Sequence, residues 1–229
     1  AGLPTVGIRV PSHPVALALL RTAGVPIAAP SANRFTEISP TTAGHVVKSL
    51  GDAVDIVLDG GSTSVGLEST VLDVTRDPPR ILRPGGVGVE AIAAVTGWVD
   101  RAPLTEGDGD AARPSPGMIG RHYAPRARVV LFEPALRDRT VAELRRAVDS
   151  GARVGALLRE SVDVPGVRAI VMPSEPHAYA ARLYAALHEL EDERCDAIFI
   201  EDVPGDDTWL AIRDRLSRAA VAPGSTLPF

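Results

Sequence analysis

The chain has 229 residues, of which 45% are hydrophobic and 23% are charged, so it can bury one large core or two smaller ones. Its net charge of −5 gives no overall attraction to nucleic acid or to an anionic membrane. The single cysteine, Cys195, excludes an internal disulfide, and no apolar run approaches the roughly 20 residues of a membrane span. We therefore expect a cytoplasmic protein without a membrane partner.

The first half of the chain alternates short apolar runs with helical patterns and turn residues, which predicts an α/β domain. Helices are predicted at 14–23, at 40–50 with Ser39 as the N-cap, and at 89–95. Strands are predicted at 5–10, 25–29, 54–58, 66–75 and 80–86.

After residue 100 the composition shifts to Pro, Gly and Asp, which predicts a linker. Beyond the linker, strands and helices alternate, which favours a mostly parallel, Rossmann-like sheet with helices on both faces. The strands are predicted at 128–132, 154–158, 169–172 and 196–200, and the helices at 141–149, 176–190 and 208–218. The predicted division is a first domain at 1–100, a linker at 101–126 and a smaller second domain at 127–229.

The segment from Val25 to Pro40 joins a predicted strand end, a polar loop and a helix start. Its loop, Ser31-Ala32-Asn33, has small side chains that let a ligand approach the main chain, while the hydroxyl and amide supply hydrogen bonds. In an α/β sheet, such a place holds anionic ligands through loop amides and the helix dipole. The alternative is an ordinary connection rich in Ser and Asn.

Polar residues at other predicted strand ends extend this candidate site. Arg9 lies inside an apolar strand and Arg83 beside a glycine-rich corner, and a guanidinium can bind two phosphate or carboxylate oxygens at once. The alternative for each is a solvated surface arginine. Glu68 interrupts an apolar strand, which favours partial burial with a partner over contact with a ligand.

No pattern in the sequence predicts a hydrolytic triad, a zinc site or a strict glycine-rich phosphate loop. The hydroxyls, main-chain groups and arginines instead indicate a site for a nucleotide or small polar ligand, which acts by positioning with Mg²⁺ on the phosphates. Tyr123, in the sequence His122-Tyr123-Ala124-Pro125, either closes over this site as a lid or anchors the linker to the second domain.

Several longer motifs follow one another between residues 4 and 125: PTVGIRVPSHP, PIAAPSAN, VLDGG, VGLESTVLD, RILRPGG and SPGMIGRHYAP. In this order they resemble the Sua5/YrdC/YwlC family of threonylcarbamoyl-AMP synthases. The resemblance implies a YrdC-like, twisted mixed-sheet domain for the first unit. The second unit is similar in length and position to the Sua5 C-terminal domain.

The resemblance implies a nucleotidyltransferase that converts L-threonine, bicarbonate and ATP into L-threonylcarbamoyl-AMP and pyrophosphate. A separate transferase would use the product for the t6A modification of tRNA. By position, the resemblance implies an L-threonine site formed by Arg9, the Ala29 main chain and Ser69. It implies an ATP site formed by Thr5, Ser31, Asn33, Ser39, Arg83 and, as a lid, Tyr123. Mg²⁺ would arrive with the nucleotide and take no protein ligand, and no residue is assigned a catalytic role.

The sequence departs from the family pattern in two places. Arg34-Phe35-Thr36 stands where the family has a small Ser-Gly pair. The family's N-terminal stretch, which carries a Lys/Arg cluster for the triphosphate, is missing, so we expect a truncated first domain, weak binding and little catalysis. The alternatives are an RNA-binding module, which the dispersed basic residues do not favour, and a non-catalytic nucleotide-binding module.

Overall fold

The computed structural model describes residues 4–102 and 123–221 and contains two separate β-sheets, one in each half of the chain. The first half supplies helices α1 (Pro14–Ala23), α2 (Ala43–Leu50) and α3 (Val89–Thr96), and strands β1 (Val71–Asp73), β2 (Arg80–Arg83) and β3 (Asp100–Arg101). Its sheet has the order β1-β2-β3, in which β2 pairs antiparallel with β1 and parallel with β3. The first sheet is therefore mixed, as predicted.

Helix α1 begins and ends where the sequence predicts. Pro14 occupies the first turn, and Gly24 ends the helix in a left-handed conformation (φ 65°) while its N–H donates to the Leu20 carbonyl. Helix α2 differs from its prediction, because Thr42 and not Ser39 is the N-cap and accepts from the His45 N–H. The Ser39 hydroxyl instead donates to the carboxylate of Glu68. A hydrogen bond to an ionised group is stronger than the bond between a neutral hydroxyl and a backbone amide that a cap would form.

The strands predicted at 5–10, 25–29 and 54–58 are wrong, since no strand is assigned there. Their apolar side chains are exposed: Ile8 by 86%, Val25 by 60% and Ile56 by 76%. An apolar run of this kind becomes a strand only when a neighbouring strand satisfies its backbone groups, and none of the described residues does so. The predictions at 66–75 and 80–86 were correct in type but too long, because only 71–73 and 80–83 pair.

The second half supplies a four-stranded parallel sheet in the order β4-β7-β5-β6. Its elements are β4 (Arg128–Phe132), α4 (Arg137–Asp149), β5 (Val154–Leu158), β6 (Arg168–Val171), α5 (Pro176–Asp192), β7 (Ala197–Glu201) and α6 (Leu210–Ala219). Every residue of β5 and β7 is buried, which is typical of central strands covered on both faces. The predicted α/β class with one mixed and one parallel sheet is thus confirmed.

Two hydrophobic clusters lie on opposite faces of the parallel sheet. Helix α4 contributes Leu144 to one cluster, and helices α5 and α6 contribute Leu187 and Leu216 to the other. The second cluster also contains Ile38 and Tyr123, so residues from outside the parallel-sheet unit pack against α5 and α6.

Residues 103–121 of the predicted linker and His122 lie outside the described residues, and the division at 100 and 127 stays a prediction. Among the described residues, no helix is long and apolar enough to cross a bilayer.

Candidate functional site

The contact between the two halves is centred on Glu68, which lies just before β1 and has a side chain only 14% exposed. Its Oε1 accepts from the Ser39 hydroxyl at 2.6 Å and from the Tyr184 hydroxyl at 3.2 Å. Its Oε2 accepts from Arg215 Nε at 2.7 Å and from the same tyrosine at 3.1 Å. Glu68 is therefore partly buried and paired, as the sequence favours.

The charges around Glu68 keep it ionised. Burial alone would raise the pKa of its carboxyl, but the Arg215 charge and the hydrogen bond from Ser39 outweigh burial and lower the pKa. An ionised carboxylate has no hydrogen to donate, so it accepts every hydrogen bond that it forms. The hydrogens of the Ser39 and Tyr184 hydroxyls thus both point toward Glu68.

Arg83 and Tyr123 lie beside this carboxylate. Arg83 donates to the Ser69 carbonyl from Nη2 at 2.9 Å and from Nε at 3.3 Å, and it also hydrogen-bonds Tyr123. Tyr123 is 2% exposed, and its ring centre lies 6.0 Å from that of Tyr184 on α5. Burial, and then the charge of Glu68, raise the pKa of the Tyr123 hydroxyl. Tyr123 therefore contacts both halves of the protein.

The other predicted site residues are placed differently. Thr5, Arg9, Ala29 and Ser31 are exposed and form no hydrogen bond or ion pair with the rest of the described residues. Asn33 donates from its amide to the carbonyls of its own loop, at 3.1 Å to Arg34 and 2.9 Å to Glu37. The structure thus brings Ser39, Ser69, Arg83 and Tyr123 to one cluster and leaves Thr5, Arg9, Ala29 and Ser31 outside it.

The loop that departs from the family pattern is tied to α2. The Arg34 N–H donates to Ser49 Oγ at 3.0 Å, and Arg34 Nε donates to the Ser49 carbonyl at 2.9 Å. The side chain of Phe35 is 69% exposed, and Thr36 has a positive φ of 72°. The Thr36 carbonyl accepts from the Ala124 N–H at 3.1 Å, so this loop also holds the segment after Tyr123.

Two stacked histidines adjoin the cluster. The rings of His45 on α2 and His188 on α5 are 3.8 Å apart, and His188 Nε2 lies 3.2 Å from the Ser39 carbonyl oxygen. Burial, with the neighbouring His45, lowers the pKa of His188 to about 4. Both rings and Lys48 line a cavity of about 220 Å³. His188 is therefore neutral near pH 7.

A larger cavity of about 710 Å³ lies between the glycine-rich corner at 84–88 and the first turns of α5 and α6. The described residues that line it include Val65, Leu67 and Ile81 and none of the predicted site residues. In the described part of the chain, no group of three or more His, Cys, Asp or Glu side chains could hold a metal ion.

Sequence reasoning missed Arg215, Tyr184 and His188. All three are at least nine-tenths buried and lie on helices of the second half. One signal was available for Arg215, because it shares the helical spacing of the buried residues Ile212 and Ala219. An arginine on an apolar helix face predicts a buried partner, although the sequence does not identify it.

Together, the two sheets and the ion-paired cluster between them define an α/β protein with a polar site at the contact between its two halves. Residues 87–221 match the family model described as "Threonylcarbamoyl-AMP synthase, C-terminal domain", and residues 1–85 match the one described as "Telomere recombination". The chain therefore belongs to the Sua5/YrdC/YwlC family, which confirms the resemblance seen in its motifs.

Relatives from distant organisms agree with this assignment. The chain is 40% identical to the threonylcarbamoyl-AMP synthase of Bacillus subtilis, covering 96% of this chain and 64% of the relative. It is 36% identical to that of Pyrococcus abyssi, covering 96% and 65%. It superposes with a TM-score of 0.85 and 35% identity on the crystal structure of P. abyssi Sua5 complexed with L-threonine, covering 96% of this chain and 66% of that one. The chain thus spans 64% to 66% of the length of these relatives, just under two thirds.

Proposed function

We propose that the chain acts as part of an L-threonylcarbamoyl-AMP synthase. The observation that carries the proposal is the fold match at a TM-score of 0.85, over 96% of the chain, with a family member complexed with L-threonine. A polar cluster of hydroxyls and a guanidinium, held at the contact between two domains, supports it, because ligand sites often lie at such contacts.

The proposed L-threonine site consists of Arg9, the Ala29 main chain and Ser69. The Arg9 guanidinium binds the threonine carboxylate, and its exposed position leaves its donors available for a bidentate contact. In this proposal Ser69 connects the two substrates, because its carbonyl already accepts from Arg83, which we place on the ATP side.

The proposed ATP site consists of Thr5, Ser31, Asn33, Ser39, Arg83 and Tyr123. Arg83 supplies positive charge for the phosphates, and Tyr123 covers the nucleotide from the segment before the second domain. Mg²⁺ accompanies ATP as part of the substrate. These residues bind and orient, so the site works by holding the reacting atoms close and by stabilising charge.

The reaction balances as follows. The threonine amino nitrogen bonds to the bicarbonate carbon with loss of water, and the resulting carbamate oxygen bonds to the α-phosphorus. The bond between the α-phosphorus and the bridging oxygen breaks, and pyrophosphate leaves. The product then passes to a separate transferase for the t6A modification of tRNA, so tRNA is an indirect partner in this proposal.

Calorimetric titration of L-threonine into the chain tests the proposal. We expect Arg9→Ala to weaken threonine binding about 10- to 100-fold, the range for a lost charge-assisted hydrogen bond. Arg21→Ala, which removes an exposed arginine from α1, is the matched control and should leave the affinity unchanged. A parallel assay follows pyrophosphate release that needs threonine, bicarbonate and ATP together. Absence of both threonine binding and release would refute the proposed function.

A further inference from the structure

Among the largest fully buried side chains of the described residues is that of Arg215, on α6, which reaches into the first half. Its Nε donates to Glu68 Oε2 at 2.7 Å, and its Nη2 donates to the Pro84 carbonyl at 2.9 Å. Its Cζ lies 5.1 Å from the centre of the Tyr123 ring. We propose that Arg215 is a positioning residue for the ATP side of the site, through which the second half sets the geometry of that side.

Each of these contacts ends on, or next to, a residue proposed to bind ATP. Glu68 accepts the Ser39 hydroxyl at 2.6 Å. Pro84 directly follows Arg83 at the end of β2. Tyr123 lies against the guanidinium itself. A single buried cation therefore fixes three segments that are far apart in the sequence, and the inference rests on the proposed function of those segments.

The two first-half segments held in this way also touch each other. A Cβ placed on Gly85 would lie 2.3 Å from the Glu68 carbonyl oxygen and 2.3 Å from the Thr70 nitrogen. The Gly86 N–H donates to the same Glu68 carbonyl at 3.2 Å. Because the backbones are in such close contact, a shift of one segment is passed on to the other. Arg215 donates to both segments, to Glu68 and to the Pro84 carbonyl.

The three hydrogen bonds of Arg215 depend on the planar shape of its guanidinium as well as on its charge. Nε, Nη1 and Nη2 each have a different acceptor: Glu68, Asp214 and the Pro84 carbonyl. Asp214 accepts in turn from Arg218 Nε at 2.9 Å, so opposite charges alternate away from the cluster. A lysine would keep the charge but could not reach three acceptors in fixed directions.

The network also determines what Ser39 can offer a ligand. Arg215 keeps Glu68 ionised, and the Ser39 hydrogen is used in the bond to Glu68. Toward a ligand, Ser39 presents only oxygen lone pairs. It therefore suits a hydrogen-bond donor, such as a ribose hydroxyl or an amino group, and does not suit a phosphate oxygen. Arg215 sustains this preference of Ser39 for a donor, because it keeps Glu68 ionised and so keeps the Ser39 hydrogen in the bond to Glu68.

Calorimetric titrations of ATP and L-threonine into the wild type and Arg215→Lys provide the test. We expect the variant to bind ATP about tenfold more weakly, because lysine keeps the charge but loses directed hydrogen bonds of the guanidinium. Threonine affinity should fall clearly less than ATP affinity. Of the three proposed threonine-site residues only Ser69 adjoins the network, through Glu68 and Arg83, whereas Arg9 and Ala29 share no contact with it in the described residues. Arg213→Lys is the control, since Arg213 lies on the same helix and donates to the Gly205 carbonyl within its own half.

A second measurement separates positioning from folding. In Arg215→Gln, burial is no longer opposed by a cation, so the pKa of Glu68 should rise. The other groups near Glu68 are the hydroxyls of Ser39, Tyr184 and Tyr123, and the Arg83 guanidinium, which hydrogen-bonds Tyr123 and the Ser69 carbonyl. The ratio of variant to wild-type ATP affinity should then change between about pH 5 and pH 8. The double variant Glu68→Gln with Arg215→Gln should remove this dependence and avoid an unpaired buried charge.

The outcomes are distinct. Selective loss of ATP binding in Arg215→Lys, with a pH-dependent ratio in Arg215→Gln, supports the proposal. Equal ATP affinities in the wild type and Arg215→Lys overturn it and leave the proposed function standing. Parallel loss of ATP and threonine binding also overturns it, since the arginine would then only maintain the fold. If the wild type binds neither ligand, the inference and the proposed function fail together.

Discussion

Acid should weaken the contact between the two halves through His188. This side chain is 6% exposed, stacks on His45 and has Nε2 3.2 Å from the Ser39 carbonyl oxygen. Burial, and then the neighbouring His45, lower its pKa from 6.5 to about 4. The nearby charges are Lys48, which lowers the pKa further, and Asp192, which raises it. The folded protein therefore holds this ring neutral, while the unfolded chain protonates it below about pH 6.5.

The sign and size of the effect follow from this difference in pKa. Between about pH 6.5 and pH 4 the unfolded chain binds a proton that the folded protein does not, so stability falls as the pH falls. Above the pKa of His188 in the unfolded chain, about 6.5, the free energy of unfolding is not reduced by this ring. The complete shift corresponds to about 3 kcal/mol, and about 2 kcal/mol should already be lost near pH 5. The pKa of His45 is also lowered, first by burial, so it adds in the same direction.

Urea unfolding at about pH 7.5 and about pH 5 measures this loss. In His188→Gln the free energy of unfolding should fall by about 2 kcal/mol less than in the wild type between these conditions. His177→Gln is the matched control, because His177 is exposed and lies on the same helix. Equal pH dependence in the wild type and His188→Gln would show that this ring does not titrate on unfolding, and would refute the reasoning.

Other side chains lead to further predictions. The hydroxyl of Tyr179 is buried and has no hydrogen-bond partner among the described residues, so Tyr179→Phe should leave the free energy of unfolding unchanged or raise it by up to about 2 kcal/mol. Tyr184→Phe removes the hydrogen bond that the tyrosine hydroxyl shares between the two carboxylate oxygens of Glu68, and should lower the free energy of unfolding by about 1 to 3 kcal/mol. A larger loss of stability in Tyr179→Phe than in Tyr184→Phe would contradict these assignments. Gly66 has a φ of 75°, and a Cβ there would lie 2.4 Å from the α5 backbone, so Gly66→Ala should cost more than the 1–2 kcal/mol or so expected from φ alone. Gly61→Ala, at φ 84° in open space, isolates the φ contribution, and equal losses of stability would exclude a clash. Burial raises the pKa of the Cys195 thiol, so its alkylation near pH 8 should be faster in urea than in the folded protein; equal rates would contradict the burial.

The second half shows how much of the fold local pattern determines. The predicted strands at 128–132 and 154–158 match the structure, because short apolar runs there alternate with amphipathic helices of ten or more residues. Each strand in this half pairs only with strands of the same sheet. The error at α4 was small: the helix begins at Arg137, four residues before the prediction, because its polar first turn carries no apolar signal.

The first half shows where pattern is insufficient. The runs at 5–10 and 25–29 have the composition of buried strands, yet Ile8 is 86% exposed and Ile27 is 43% exposed. The composition of a segment indicates that it can form a strand, but the strand forms only when a neighbouring strand hydrogen-bonds to its backbone. The prediction of Ser39 as a helix cap failed for a similar reason. Its true partner, Glu68, is 29 residues away and was not part of the local pattern.

From the sequence alone came the α/β class, the boundaries of α1 and, to within two residues, those of most elements in the second half, the family, and the partly buried state of Glu68. These depend on local periodicity, turn residues and ordered motifs, all of which are encoded in neighbouring residues. Only the tertiary structure revealed that Arg215 of α6 joins Glu68, Pro84 and Tyr123. Buried charges must be paired wherever the fold brings them together, and that pairing depends on the path of the whole chain.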